Sequence, residues 1–264
     1  MKKKIIAANF KMNKTDEDIK KYFAVFLDLI NGLKHKTSFS DLDAELIFAP
    51  PFTSLSETYK IIEPYIDFIN FIKLSSQNIY FEKSGAYTGE ISIDMIKSCG
   101  CVYAIIGHSE RRNIFNESDE LIGKKVEAAY NGGGMTPILC VGENIEIRKQ
   151  NGQEKFVENQ LSVGLNCIKG RNIPSLIVAY EPVWAIGTGM CIKADDGEAM
   201  HEFIYDYLKS GFSIGELRVI YGGSVTEANI KELMGKPHID GVLVGGASLD
   251  PQSFYNIFKL ATAQ

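Results

Sequence analysis

A chain of 264 residues, 45% of them hydrophobic, suits one large domain or two small ones. Its formal net charge of −5 gives no electrostatic reason to expect nucleic acid or an anionic membrane as a partner, so an anionic small ligand would need a local positive site. The five cysteines include no Cys-x-x-Cys pair, and the one-residue gap between Cys99 and Cys101 matches no standard zinc spacing, which reads as free thiols in a reducing cytosol.

The opening Met1-Lys2-Lys3-Lys4 has the charge of a signal-peptide start, but the apolar run behind it, Ile5 to Ala8, stops at Asn9 and is too short for an h-region. No stretch approaches the roughly 18 unbroken apolar residues of a membrane span. A soluble, unexported protein of the cytoplasm is expected.

Lys4–Asn9 is the first of eight short apolar runs. The others are Glu45–Ala49, Phe71–Ser75, Cys101–Ile106, Pro137–Val141, Leu176–Tyr180, Leu217–Tyr221 and Asp240–Val244. They lack polar alternation and are partly β-branched, the pattern of strands buried on both faces of a parallel sheet. Helical spacing fills the intervals. After the first run, Ile19, Tyr22, Phe23, Phe26 and Ile30 line one helix face, with Thr15 placed as N-cap and Asp16, Glu17 and Asp18 in the first turn. Ser118, Asp119 and Glu120 repeat that signal, and Asn131-Gly132-Gly133-Gly134 ends the helix they begin.

Eight buried strands alternating with helices predict an α/β fold, a (β/α)8 barrel formed as a single domain over residues 1–264. An open doubly wound sheet is the runner-up. It would show a Gly-rich turn after strand one, and Asn9-Phe10-Lys11-Met12-Asn13 has none.

The site of such a barrel lies at the C-terminal ends of its strands. The residues standing there include Asn9 and Lys11, Gln77 and Asn78, and His108, Ser109 and Glu110. Glu143, Glu181, Gly222-Gly223-Ser224 and Gly245-Gly246 complete the set. Glu181 reads either as a solvated loop carboxylate or as a base. The apolar Val183-Trp184-Ala185-Ile186 behind it favours the base, because a segment folding over the carboxylate would take water off it. His108 reads either as a strand-end histidine bonded to backbone or as a neutral imidazole, kept uncharged by the start of a helix. Lys11 is either a surface ammonium or a cation aimed into the barrel mouth, able to stabilise negative charge. The glycines are either plain turns or places where backbone N–H groups approach a phosphate, a frequent arrangement after strands seven and eight. Cys140 has no base partner and reads as a buried packing thiol near Glu181.

Five segments carry a resemblance. Asn9-x-Lys11, Gly107-His108-Ser109-Glu110-Arg111-Arg112, Ala179 to Gly189, Tyr221-Gly222-Gly223-Ser224-Val225 and Gly241 to Leu249 resemble the motifs of the triosephosphate isomerase family, in family order and over nearly the whole chain. The resemblance implies a TIM barrel and an aldose–ketose isomerase of glycolysis and gluconeogenesis. Its catalytic residues would be Glu181, His108, Lys11 and Asn9, with Glu110 as partner of Lys11 and Ser109 in support. Asn9, Lys11, Gly187, Ser224, Gly245 and Gly246 would hold a small phosphorylated triose. The sequence shows no metal-ligand cluster and no dinucleotide fingerprint, so no cofactor and no metal are expected. Pro182-to-Gly189, an apolar tip between a proline entry and a Gly-Thr-Gly exit, reads either as a lid or as a constitutively packed loop. The resemblance further implies a homodimer built through the long Gln77–Glu90 stretch. Phe10 stands where the family often has tryptophan. Met190-Cys191-Ile192 replaces the usual lysine and small residues after the lid, a difference that bears on hinge kinetics. Two other readings are a barrel aldolase using Lys11 as a Schiff base and an inactive barrel kept as a binding protein.

Overall fold

In the computed structural model, which describes residues 3–34, 44–66, 71–186 and 192–262, eight parallel strands close on themselves in sequence order. They are β1 (Lys4–Asn9), β2 (Ala44–Ala49), β3 (Ile72–Ser76), β4 (Cys101–Ile106), β5 (Thr136–Val141), β6 (Asn172–Tyr180), β7 (Ser213–Tyr221) and β8 (Gly241–Val244). Ten α-helices among the described residues surround them. They are α1 (Asp16–Lys34), α2 (Leu55–Ile66), α3 (Ile93–Ser98), α4 (Ser109–Asn113), α5 (Asp119–Asn131), α6 (Ile145–Lys149), α7 (Gln153–Gly164), α8 (Ala194–Gly211), α9 (Ile230–Met234) and α10 (Pro251–Thr262). Among the described residues no helix is long and apolar enough to cross a membrane.

All eight expected strands form, six of them within one residue of the boundaries read from the sequence. β6 and β7 start four residues earlier than Leu176 and Leu217. Their extensions, Asn172–Ser175 and Ser213–Glu216, are largely exposed and contain polar residues, so no apolar run marks them. They pair with each other below the barrel, from Asn172↔Ser213 onward.

The strands alternate between two cores. Inside the barrel, small and branched side chains fill the lumen, among them Ala7, Ile47, Ile105, Ile138, Ile177, Ala179, Ile220 and Leu243. Outside it, the intervening residues meet the helices. The α1 stripe of Ile19, Tyr22, Phe23, Phe26 and Ile30 is buried as its spacing requires. Phe48 of β2 sits within an aromatic cluster, its ring centroid 4.9 Å from Phe23, 5.1 Å from Phe26 and 5.4 Å from Phe254. Such edge-to-face pairs add about 0.5–1.5 kcal/mol each beyond area burial. Phe10 joins this cluster, so an aromatic ring fills its position. The caps fall where the sequence places them: the Asp18 N–H reaches Thr15 Oγ1 at 3.4 Å, and the Leu121 N–H reaches Ser118 Oγ at 3.3 Å.

His201 of α8 is wholly buried, edge-on to Tyr180, with Nδ1–H donating to the Gly197 carbonyl at 2.7 Å. Burial pushes its pKa down to about 4, against the opposing pull of the Gly197 and Ile220 carbonyls and of Glu198 and Asp240. An unfolded chain takes up this proton near pH 6.5, while the folded one takes it up only near pH 4. The stability this residue contributes is therefore complete above pH 6.5 and is lost as pH falls towards 4. Urea unfolding should show roughly 3 kcal/mol disappearing across that window through His201, and His201→Gln should flatten that part of the curve.

Candidate active site

The two-residue period of a strand, carried one step past its last lumen residue, decides what faces the barrel mouth. Ala7 leads to Asn9, Ala179 to Glu181, Cys140 to Gly142, Ile220 to Gly222 and Leu243 to Gly245. Asn9, Glu181, Gly222 and Gly245, together with Lys11, His108, Ser224 and Gly246, wall a cavity of about 260 Å³. Of the residues singled out from the sequence, Ser109 and Glu110 stand immediately behind this wall, and Gly187 lies outside the described residues, as does the Gly187–Gly189 end of the expected lid.

Glu181 is 2% exposed. Its Oε2 accepts the Ser109 N–H at 2.9 Å, and its Oε1 lies 3.1 Å from His108 Nε2. The chain turns out of β4 at Gly107, and His108 becomes the N-cap of α4. There its Nδ1 accepts the Glu110 N–H at 3.2 Å. A nitrogen that accepts carries no proton, so the imidazole is neutral with its hydrogen on Nε2, facing Glu181 and the cavity. The five-residue α4 thus fixes both the tautomer of one side chain and the resting place of another.

Lys11 enters from the β1 end. Its Nζ lies 2.6 Å from Glu110 Oε1, and its backbone sits at φ 51°, a left-handed conformation uncommon for a residue with a Cβ. Two side chains hold it there. The Lys11 N–H donates to Asn9 Oδ1 at 3.0 Å, and Gln77 Nε2 donates to the Lys11 carbonyl at 2.9 Å while also reaching the Ala49 carbonyl at 2.8 Å. Gln77 was visible in the sequence only as one more polar residue at a strand end.

Opposite these residues, β8 runs into Gly245 and a short 3-10 turn, Gly246–Leu249, closed by the Ser248 N–H on the Gly245 carbonyl. Ser224, after β7, lines the same cavity and donates its hydroxyl to the Ala185 carbonyl at 2.6 Å. It thereby ties the β7 turn to the segment that follows Glu181. That segment is a 3-10 turn, Val183–Ala185, and Ile186 beyond it reaches the cavity wall.

Glu143, which the sequence places among the strand-end residues, stands outside the cavity wall. It is fully buried, and its carboxylate accepts the Tyr180 hydroxyl at 3.0 and 3.1 Å and the Trp184 Nε1–H at 2.9 Å. Its carbonyl accepts the Val183 N–H at 3.0 Å. Cys140 is also fully buried. Burial first, and then the Glu181 carboxylate, push its thiol well above the ordinary range, which suits the packing role expected for it.

The triosephosphate isomerase family model matches residues 4–261. The triosephosphate isomerase of Dictyoglomus thermophilum is 43% identical over 262 residues, which are 98% of this chain and 100% of that protein. That of Aquifex aeolicus is 43% identical over 257 residues, or 97% and 98% of the two chains. A crystal structure of the Bartonella henselae triosephosphate isomerase superposes with a TM-score of 0.80 at 34% identity, covering 98% of each chain.

At Gly222 an added Cβ would stand 2.8 Å from Glu181 Cγ, so the floor under the carboxylate admits only glycine without a shift. Gly222→Ala is expected to break the bond from the Ser109 N–H and to lower stability by about 1–3 kcal/mol. Amide hydrogen exchange checks it: Ser109 should lose protection in the variant, and unchanged protection would show that the carboxylate tolerates the methyl group.

Proposed function

This chain belongs to the triosephosphate isomerase family, and from that premise we propose that it interconverts dihydroxyacetone phosphate and D-glyceraldehyde 3-phosphate in the cavity beside Glu181. The supporting observation is the approach of a neutral His108 Nε2–H to within 3.1 Å of a buried carboxylate, on one cavity wall with Lys11.

Glu181 takes a proton from the carbon next to the substrate carbonyl, and the electron pair left behind moves onto the carbonyl oxygen to give an enediolate. The His108 Nε2–H donates to the enediolate oxygens, a carboxylate–imidazole pairing for which this family is itself the type case. The Lys11 ammonium balances the negative charge, and Asn9, whose carbonyl oxygen is committed to Lys11, turns its amide to the substrate oxygen. His108 Nε2 gives its proton to the former carbonyl oxygen and takes up the proton of the neighbouring hydroxyl. Glu181 returns the carbon proton to the former carbonyl carbon as the new carbonyl forms, so that protons and electron pairs balance. Ser109 holds the resting base, and Glu110 sets both the Lys11 side chain and the His108 tautomer.

The phosphate is assigned to the Gly245-Gly246 turn and Ser224, which line the cavity with Lys11, since backbone N–H groups of such turns can approach an anion, and Gly187 is assigned as a further donor. Pro182 to Gly189, with its proline entry, apolar tip and Gly-Thr-Gly exit, acts as a lid. Its closure takes water from the site and protects the enediolate phosphate from elimination. Residues 1–264 make one barrel domain, acting in the cytoplasm.

We assign the chain to a homodimer formed through the Gln77–Glu90 stretch. Large apolar side chains stand exposed on neighbouring connections at the same end of the barrel: Met12 after β1, Tyr87 in this stretch, and Ile114 and Phe115 after β4. Met12 is 96% exposed and directly follows Lys11. A second copy covering these residues would bury them beside the site.

Two measurements test these assignments. Glu181→Asp withdraws the carboxylate by about one methylene, on the order of 1 Å. Turnover in a coupled assay without added metal is expected to fall roughly a hundredfold with substrate affinity little changed. Undiminished turnover would remove Glu181 from the role of base. Sedimentation should give twice the 29.3 kDa of the chain, and Ile114→Lys combined with Phe115→Lys should shift the protein towards monomer.

A further inference from the structure

We propose that Gln160, on the outer face of the barrel in α7, is a positioning residue for the catalytic base, an inference that rests on Glu181 holding that role. The end of β5 is the template on which the segment after β6 is laid. The Glu181 N–H donates to the Val141 carbonyl at 2.7 Å, and the Val183 N–H donates to the Glu143 carbonyl at 3.0 Å. Between those two bonds lies Gly142. Its Cα packs so closely on the Glu181 carbonyl that an added Cβ would collide with that oxygen. The height of Gly142 therefore sets the height of the backbone that carries the base.

Gly142 is fixed by one further bond. Its N–H donates to Gln160 Oε1 at 2.8 Å, a side chain only 5% exposed. Gln160, Gly142 and Glu181 also border a common cavity of about 360 Å³, distinct from the substrate pocket. Without the amide oxygen, the Gly142 N–H is a buried donor beside open space. The strand end can then relax into that space, and the Glu181 backbone resting on it follows. Gln160 touches neither substrate nor reacting atom. It acts through Gly142 on the placement of a carboxylate, where a displacement of about 1 Å weakens catalysis about a hundredfold, so a fraction of that displacement gives a loss on the order of tenfold.

The experiment compares Gln160→Met, which keeps the chain length and removes the acceptor, with the wild-type enzyme and with Glu181→Asp. For Q160M, kcat is expected to fall about tenfold. KM and the inhibition constant of inorganic phosphate should stay within about twofold, since the phosphate turns lie across the barrel mouth. In the Glu181→Asp background, where the carboxylate is already misplaced, the same substitution should lower kcat by less than about threefold. Three results would overturn the proposal: an unchanged kcat in Q160M, an undiminished effect in the Glu181→Asp background, or a matching loss of phosphate affinity. If Q160M does not fold, Gln160→Asn, which draws the amide one methylene short of Gly142, is read by the same criteria. Full activity of Glu181→Asp alone would instead sink the assignment of the base.

Discussion

A carboxylate taken out of water needs donors, because an ionised group without hydration or partners is costly to bury. Glu181 accepts the Ser109 N–H on one oxygen, while the other, which makes no hydrogen bond among the described residues, lies 3.1 Å from the His108 imidazole. Both neighbours come from the turn where β4 becomes α4. Much of the site's organisation follows from this arrangement. The same turn aims the Glu110 N–H at His108 Nδ1 and so places the imidazole hydrogen on the side where substrate oxygen would lie. It also places the Glu110 carboxylate against Lys11. One five-residue helix therefore connects carboxylate, imidazole and ammonium, three groups that the sequence scatters over positions 11, 108 and 181.

The barrel supplies the stiffness that such a constellation needs. Its strands are short and its lumen is packed with small branched side chains, so the strand ends cannot shift independently. Buried polar contacts then lock particular ends together. Glu143 joins β5 to the segment after β6 through Tyr180, Val183 and Trp184, and Arg112 of α4 donates to the carbonyls of Gly107 and Cys140, bridging β4 and β5. Farther out, the buried Lys125 ammonium bonds Glu117 and Asn78, the residue after Gln77. Charged groups this deep occur almost only when paired, and each pair here anchors a connection at the catalytic end.

The strands could be read from the sequence because burial on both faces leaves an uninterrupted apolar run, a signal that needs no tertiary knowledge. That signal fails at Asn172–Ser175 and Ser213–Glu216, where pairing continues below the barrel and the side chains are largely exposed. His108, Lys11 and Glu181 were legible for a different reason: each follows a strand closely enough for topology to bring it to the mouth. Gln77 and Glu143 shared that mark without their partners being readable, and Gln160 carried no mark at all. Their importance lies in single long-range bonds, to Lys11, Trp184 and Gly142, and a buried glutamine has the same letter as a solvated one.

The backbone of Lys11 has one more consequence. A side chain at φ 51° sits on the order of 1 kcal/mol above its relaxed geometry, and glycine would be released from that penalty. Anyone redesigning the molecule for heat resistance would thus meet, at position 11, a gain in melting temperature that forfeits the ammonium. Durability and a cation at the barrel mouth compete at this one residue, and the bonds from Asn9 and Gln77 are the means by which the fold settles the contest in favour of the cation.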